Sequence, residues 1–116
     1  MKLTYVDARN FTERLRLLVD DEAYRLFQNE LQDNPEKGDL IPGGGGVRKV
    51  PLRLPGWGKS GGARAIYLYL KNHAVIYFLI LYTKKEQAGL SRDQRKAIRG
   101  IVEEIKRAWR DRLSLR

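Results

Sequence analysis

Apolar residues along this chain change period twice, from the three-to-four spacing of amphipathic helices to the alternation of strands near residue 47, and back to helical spacing after residue 91. Ahead of the first helical stretch, residues 3–6 predict a short strand. Phe11, Leu15 and Leu18 then share one helical face, and Asn10 with Glu13 three residues later has the form of a capping box. A second helix is expected from just after Asp20 or Asp21 to about Asp33, with Ala23, Leu26, Phe27 and Leu31 on one side. Asn34 and Pro35 stop it, because proline has no N–H to continue the ladder. Residues 36–46 lose periodicity altogether. Pro42 followed by Gly43, Gly44, Gly45 and Gly46 supplies backbone freedom in place of a packable surface, which predicts a mobile loop.

Three strand-like stretches follow, residues 47–54, 64–70 and 74–82, and they are expected to form one antiparallel sheet. In the first, Val50, Leu52 and Leu54 alternate with Lys49, Pro51 and Arg53, so Lys49 and Arg53 project from one charged face. Pro51 cannot donate a ladder hydrogen bond and marks an edge, a bulge or a local break. The third stretch is apolar on both alternations, as a central strand covered on both faces would be. Residues 71–74 join the last two strands, with Asn72 suited to a turn and His73 at its tip, where it lacks the helper a general base needs. Ser91 and Gln94 form a capping box for the last helix, in which Ala97, Ile98, Ile101, Val102, Ile105, Ala108 and Trp109 recur at helical spacing. Arg95, Lys96, Arg99 and Lys106, partly balanced by Glu103 and Glu104, then fall on a solvated face, and residues 110–116 are expected to fray. The fold class expected is α+β: one domain, residues 1–116, with N-terminal helices and a C-terminal helix packed on a small, mainly antiparallel twisted sheet.

Composition narrows the chemistry. A chain of 116 residues with 42% hydrophobic content suffices for one modest core. No cysteine and a single histidine leave neither a thiolate metal site nor a histidine cluster, which argues against zinc chemistry. The N-terminus has no uninterrupted apolar segment of the export type, and no apolar run is long enough to span a bilayer, so a cytoplasmic protein away from membranes is expected.

Charge is the more informative quantity, because the net +9 is unevenly placed. Residues 1–40 carry six basic and nine acidic side chains, whereas residues 41–116 carry 17 basic and five acidic ones, a net +12. Five of these cations, Arg48, Lys49, Arg53, Lys59 and Arg64, have no acid among them. A field sorted in this way fits a polyanion, of which nucleic acid is the commonest; an anionic membrane or an acidic protein would meet the same field. The four glycines are not a nucleotide-phosphate loop: Val47-Arg48-Lys49 follows them, and Lys59-Ser60 has the wrong glycine spacing before it.

Three elements together carry a family resemblance. Residues 43–50 (Gly43 to Gly46, then Val47-Arg48-Lys49-Val50), residues 58–67 with a G-x-R-x-x-Y pattern at Gly62, Arg64 and Tyr67, and residues 81–86 with Lys84-Lys85 occur in the order seen in the RelE/ParE superfamily of bacterial toxins, and resemble its HigB-type branch most. The likeness runs from about residue 10 to 108. It implies a RelE-like fold and a ribosome-dependent messenger RNA endonuclease that works without a cofactor. It also implies a cognate HigA-like antitoxin with a helix-turn-helix domain, with the ribosome and messenger RNA as the other partners. Other branches poison DNA gyrase and lack the cationic set, so a ParE-like gyrase inhibitor, or a nucleic-acid-binding protein that does not cut, is the alternative.

The cationic set also has a chemical reason. RNA carries its own nucleophile, the 2′-hydroxyl, so a nuclease must orient that oxygen, remove its proton and stabilise negative charge on the phosphorane-like transition state. Arg64 suits phosphate clamping because its guanidinium is planar and permanently charged. A lysine becomes a general base only when neighbours or burial lower its pKa from about 10.4, a role open to Lys59 or Lys84. Lys49 would assist electrostatically, with Arg48, Arg53 and Lys85 on RNA phosphates. The tyrosine that some family members stack on a base near the chain end has no match at Gly89-Leu90. Tyr82 and Trp57 are the candidates for stacking; alternatively Trp57 anchors its loop and Tyr82 packs within the sheet.

Overall fold

The computed structural model describes residues 2–54 and 62–114. The elements run β1 (Thr4–Asp7), α1 (Arg9–Leu18), α2 (Asp21–Asp33), β2 (Asp39–Leu40), β3 (Arg48–Leu52), β4 (Ala63–Leu70), a 3-10 turn at Lys71–His73, β5 (Val75–Thr83) and α3 (Arg92–Ser114). The sheet has the order β1-β5-β4-β3-β2, antiparallel throughout except where β1 lies parallel to β5. This is the expected α+β arrangement, with one parallel edge strand that alternation could not orient. Among the described residues no helix is long and apolar enough to cross a membrane.

Each sheet face buries its own cluster. Val50, Leu52, Ala65, Tyr67, Ile76, Phe78 and Leu81 face α1 and α2, where they meet Phe11, Leu15, Phe27 and Leu31. Phe78 is the hub of that layer, its ring 5.0 Å from Phe11 and 5.6 Å from Phe27 by centroid. Burying aromatic rings in such offset pairs adds to the hydrophobic gain of the area itself. On the other face Val47, Ile66, Leu68, Leu79 and Tyr82 meet Ile98 and Val102 of α3. As the apolar pattern implied, β5 is flanked by strands on both sides and covered on both faces.

Local signals succeed where the chain satisfies its own backbone. Asp20 caps α2, its carboxylate accepting from the Ala23 N–H at 2.7 Å. Ser91 and Gln94 exchange reciprocal hydrogen bonds of 3.1 and 3.0 Å and form the expected box. Asn10 does not cap α1. That helix starts at Arg9 behind Ala8, whose N–H instead donates to Phe78 of β5, so pairing with the sheet sets the entry point. In α3 the inward stripe is narrower than expected: Ile98 and Val102 are buried and Ile105 and Trp109 half-buried, while Ala97, Ile101 and Ala108 face solvent. The helix end continues to Ser114, with the Trp109 Nε1–H donating to the Tyr77 hydroxyl at 2.9 Å and its ring stacked on His73 at 4.3 Å. His73 therefore anchors α3, and the left-handed residue of its turn is Ala74 (φ 54°) and not Asn72.

Residues 36–46, expected as a mobile loop, contain β2 and a turn closed onto α3. The Ile41 N–H donates to Val47, the Gly44 N–H to Ile41, and the Lys106 ammonium to the Gly45 carbonyl at 3.0 Å. Gly45 has φ +75°, and a Cβ there would meet Val102 at 3.3 Å, so glycine lets the backbone lie against the helix.

Candidate functional site

Register decides which cations share a surface. Lys49 lies opposite Ile66, and Pro51 opposite Arg64, on the face that α3 partly covers. β2 pairs only with Arg48 and Lys49, so β3 beyond them is an open edge, where Pro51 is tolerated. The alternation of exposed and buried positions continues past β3, leaving Arg53 exposed between buried Leu52 and Leu54. Lys49 and Arg53 thus share a face, as the alternation implied. Asp39 is the cross-strand neighbour of Lys49, yet no ion pair joins them.

The G-x-R-x-x-Y element divides its labour. Gly62 has φ +103°, and a Cβ there would stand 3.0 Å from the Leu52 carbonyl oxygen, so only glycine lets β4 enter beside β3. Tyr67 is fully buried on the helix side: its hydroxyl donates to Pro35 at 2.8 Å and accepts from the Gly38 N–H at 2.9 Å, fixing the link from α2 to β2. Arg64 alone is presented. Its guanidinium donates to the Ala63 carbonyl at 3.1 Å, and no carboxylate pairs with it among the described residues.

Arg64 faces Tyr82 across β4 and β5. The tyrosine is 3% exposed and its hydroxyl, also buried, has no hydrogen-bond partner among the described residues. Burial pushes its phenol above the ordinary range, and the positive charge of Arg64 pulls in the opposite direction. At 3% exposure the ring is sheet packing and not an open platform for a base. The structure corrects that expectation, because closure of α3 over the sheet removes the ring from solvent.

β5 ends in a turn locked by Glu86, whose carboxylate accepts from the Thr83 N–H at 2.8 Å and hydroxyl at 2.9 Å and also pairs with Arg14. These bonds hold the Glu86 carboxyl below its usual range, the Thr83 backbone donor contributing most. The turn displays Lys84 and Lys85, both exposed, and the Lys84 N–H donates to the Gly62 carbonyl, which ties it to the start of β4 near Arg64. The spacing of Thr83 and Glu86 is the sequence signal for this clamp, and it passes unnoticed beside the two lysines.

Arg48 does not join this surface. It projects to the opposite face, where its guanidinium donates to the Gly38 carbonyl at 2.7 Å, the Glu36 carbonyl at 3.1 Å and the Glu36 carboxylate at 3.3 Å. Expected on RNA phosphate, it instead braces the segment before β2, since a one-residue step along a strand reverses the direction of the side chain. Lys59 and Trp57 lie outside the described residues. Arg64, Lys49, Arg53, Lys84 and Lys85 therefore make up the described part of the predicted site.

Residues 12–115 match the family model described as the RelE toxin of the RelE/RelB toxin-antitoxin system. Among solved structures the chain is similar to a double arginine-to-alanine mutant of E. coli toxin RelE in the free state, with a TM-score of 0.55 and 15% identity over 76% of this chain and 90% of that one. At that identity the likeness speaks for the fold.

Proposed function

This chain belongs to the RelE toxin family, the toxin component of toxin-antitoxin systems, and from that premise we propose that it is a ribosome-dependent messenger RNA endonuclease. The observation that carries the reading is the presentation of Arg64, free of any carboxylate among the described residues, from the sheet face it shares with Lys49 and beside the turn that displays Lys84. A cationic surface poor in acids suits a substrate whose reacting group gains negative charge.

In the proposed reaction Arg64 forks onto the scissile phosphate while Lys84 or Lys59 takes the proton of the neighbouring 2′-hydroxyl. The 2′-oxygen attacks phosphorus, the bond to the 5′-oxygen breaks as the ammonium of the other of these two lysines gives its proton to the departing oxygen, and the products are a 2′,3′-cyclic phosphate and a 5′-hydroxyl. Lys49 offsets charge on the phosphorane-like intermediate, and Arg53 and Lys85 hold flanking phosphates. Side chains alone supply this chemistry. Arg48 is left out of the set because its donors are engaged elsewhere. The order of the glycine run, the G-x-R-x-x-Y element and the Lys84-Lys85 pair supports placement in the HigB-type branch, with a HigA-like antitoxin as the silencing partner.

Primer extension on messenger RNA in a purified translation mixture tests the activity. New 5′ ends are expected only when ribosomes are present. A chain that yields no new ends in either condition is not a nuclease, and a binding role then replaces this one.

A further inference from the structure

The cations of α3 do not form one undifferentiated solvated face. Arg92, Arg95 and Arg99 recur at i, i+3 and i+7 and together line a depression whose other wall is Pro42 and Gly43. Lys106, seven residues further along the same stripe, donates to Gly45 and holds the glycine-rich turn against the helix. Lys96 and Arg107 fall on a neighbouring stripe and are not among the residues that line the depression.

We infer that this depression is a second polyanion site, taking the phosphodiester backbone of RNA along the α3 stripe outside the proposed cleavage centre. Three arguments support it. All three arginines are exposed, and none has an ion-pair partner among the described residues, so the charge is not consumed within the fold. The helical rise places them about 4.5 and 6 Å apart along the axis, giving a row of donors suited to a chain of anions and not to a single small one. Beside Pro42 on the opposite wall, Gly43 has φ +71° and a Cβ there would meet no atom within 4 Å, so a backbone can approach it without displacing a side chain.

The inference relies on the proposed function only for the identity of the polyanion, and uncleavable RNA separates the two. Fluorescence anisotropy with a labelled 2′-O-methyl oligonucleotide, over a series of salt concentrations, compares the wild-type chain with Arg95→Gln/Arg99→Gln and with Lys96→Gln/Arg107→Gln. Both double variants remove the same charge from exposed helix positions, and circular dichroism checks that each is folded. The first is expected to bind more than about fivefold more weakly, with a salt slope shallower by about one to two. The second is expected to stay within about twofold of wild type. Equal losses in the two variants, or no binding by the wild type, would overturn the site. An unlabelled poly-glutamate peptide provides a further arm: if Arg95→Gln/Arg99→Gln binds RNA normally and loses only the peptide, the groove takes an acidic protein segment and the RNA assignment falls. Binding that depends on the arginine row in a chain that makes no new 5′ ends on the ribosome would leave this site standing and remove the nuclease reading.

Discussion

Arg64 and Tyr82 stand directly opposite each other on the α3 side of the sheet, and a bulge puts them there. β4 and β5 lose register between Ile66 and Tyr67, leaving Leu79 as the extra residue of β5. In an unbroken strand Tyr82 would share the face of Phe78, four residues earlier; after the bulge it shares the face of Arg64 instead. The arginine at the proposed centre is therefore backed by a buried phenol whose hydroxyl lacks a partner among the described residues.

That orphan hydroxyl gives the first prediction. Tyr82→Phe removes an unsatisfied buried polar group while keeping the ring, so stability is expected to be unchanged or to rise by about 1 kcal/mol. Urea denaturation measures it. A loss of more than about 1 kcal/mol would mean that the hydroxyl has a partner in solution.

Arg64→Ala is expected to slow single-turnover cleavage on saturating ribosomes by about a hundredfold to a thousandfold, the range for losing one transition-state donor. Folding is expected to survive, since the side chain is only half-buried and bonded to its own neighbour. A near wild-type rate would remove Arg64 from the centre.

Arg48 and Arg53, five residues apart in one basic cluster, are expected to separate by assay. Arg48→Ala leaves the Gly38 carbonyl without its donor and is expected to cost about 1.5 to 3 kcal/mol of stability, with the salt dependence of RNA binding little changed. Arg53→Ala is expected to leave stability within about 0.5 kcal/mol and make the salt slope shallower by about one. The reverse pattern would place the RNA on the wrong face of β3.

Tyr67→Phe tests the structural half of the G-x-R-x-x-Y element. It strands the Gly38 N–H and the Pro35 carbonyl, and about 1 to 3 kcal/mol of stability is expected to be lost. If the loss is absent while cleavage falls, Tyr67 belongs to the chemistry and not to the frame.

A pH test addresses the half-buried Asp7, whose carboxylate accepts from the Tyr24 hydroxyl at 2.9 and 3.0 Å. Burial raises its carboxyl above the ordinary value, outweighing the hydrogen bond that acts the other way. A group with a raised folded pKa contributes stability below its unfolded pKa, about 3.9, and loses that contribution as pH rises through the folded value. Asp7→Asn is therefore expected to melt no lower than wild type at pH 7 and to lose any advantage below about pH 4. A deficit at neutral pH that shrinks in acid would show that the ionised carboxylate is stabilising.

Much of the frame was legible because it depends on neighbours in sequence. The Asp20 cap, the Ser91-Gln94 box, the inward row of Ile98 and Val102, and the alternation of Val50, Leu52 and Leu54 each follow from interactions within a few residues. Asn10 shows the limit: its local capping pattern was overridden when Ala8 bonded to Phe78, 70 residues away in sequence. The glycine run shows another, since lack of periodicity implied mobility while Lys106 and Val102 hold the turn from the far end of the chain.

Periodicity, capping and composition are properties of the chain alone, and they carry the number and type of most elements, the sorting of positive charge into residues 41–116 and the family motif. Tertiary structure decided which of those cations face together. Alternation could separate Arg48 from Lys49, but only the fold shows that Arg48 meets Glu36 and Gly38 and is thereby taken out of the cationic surface. An apolar strand such as β5 carries no mark for the bulge that turns Tyr82 toward Arg64, since both of its faces are apolar and the choice lies in packing against β4 and α3. The arginine row of α3 likewise reads as ordinary solvated charge until the turn at Pro42 and Gly43, about 50 residues earlier in the sequence, closes beside it and makes a groove.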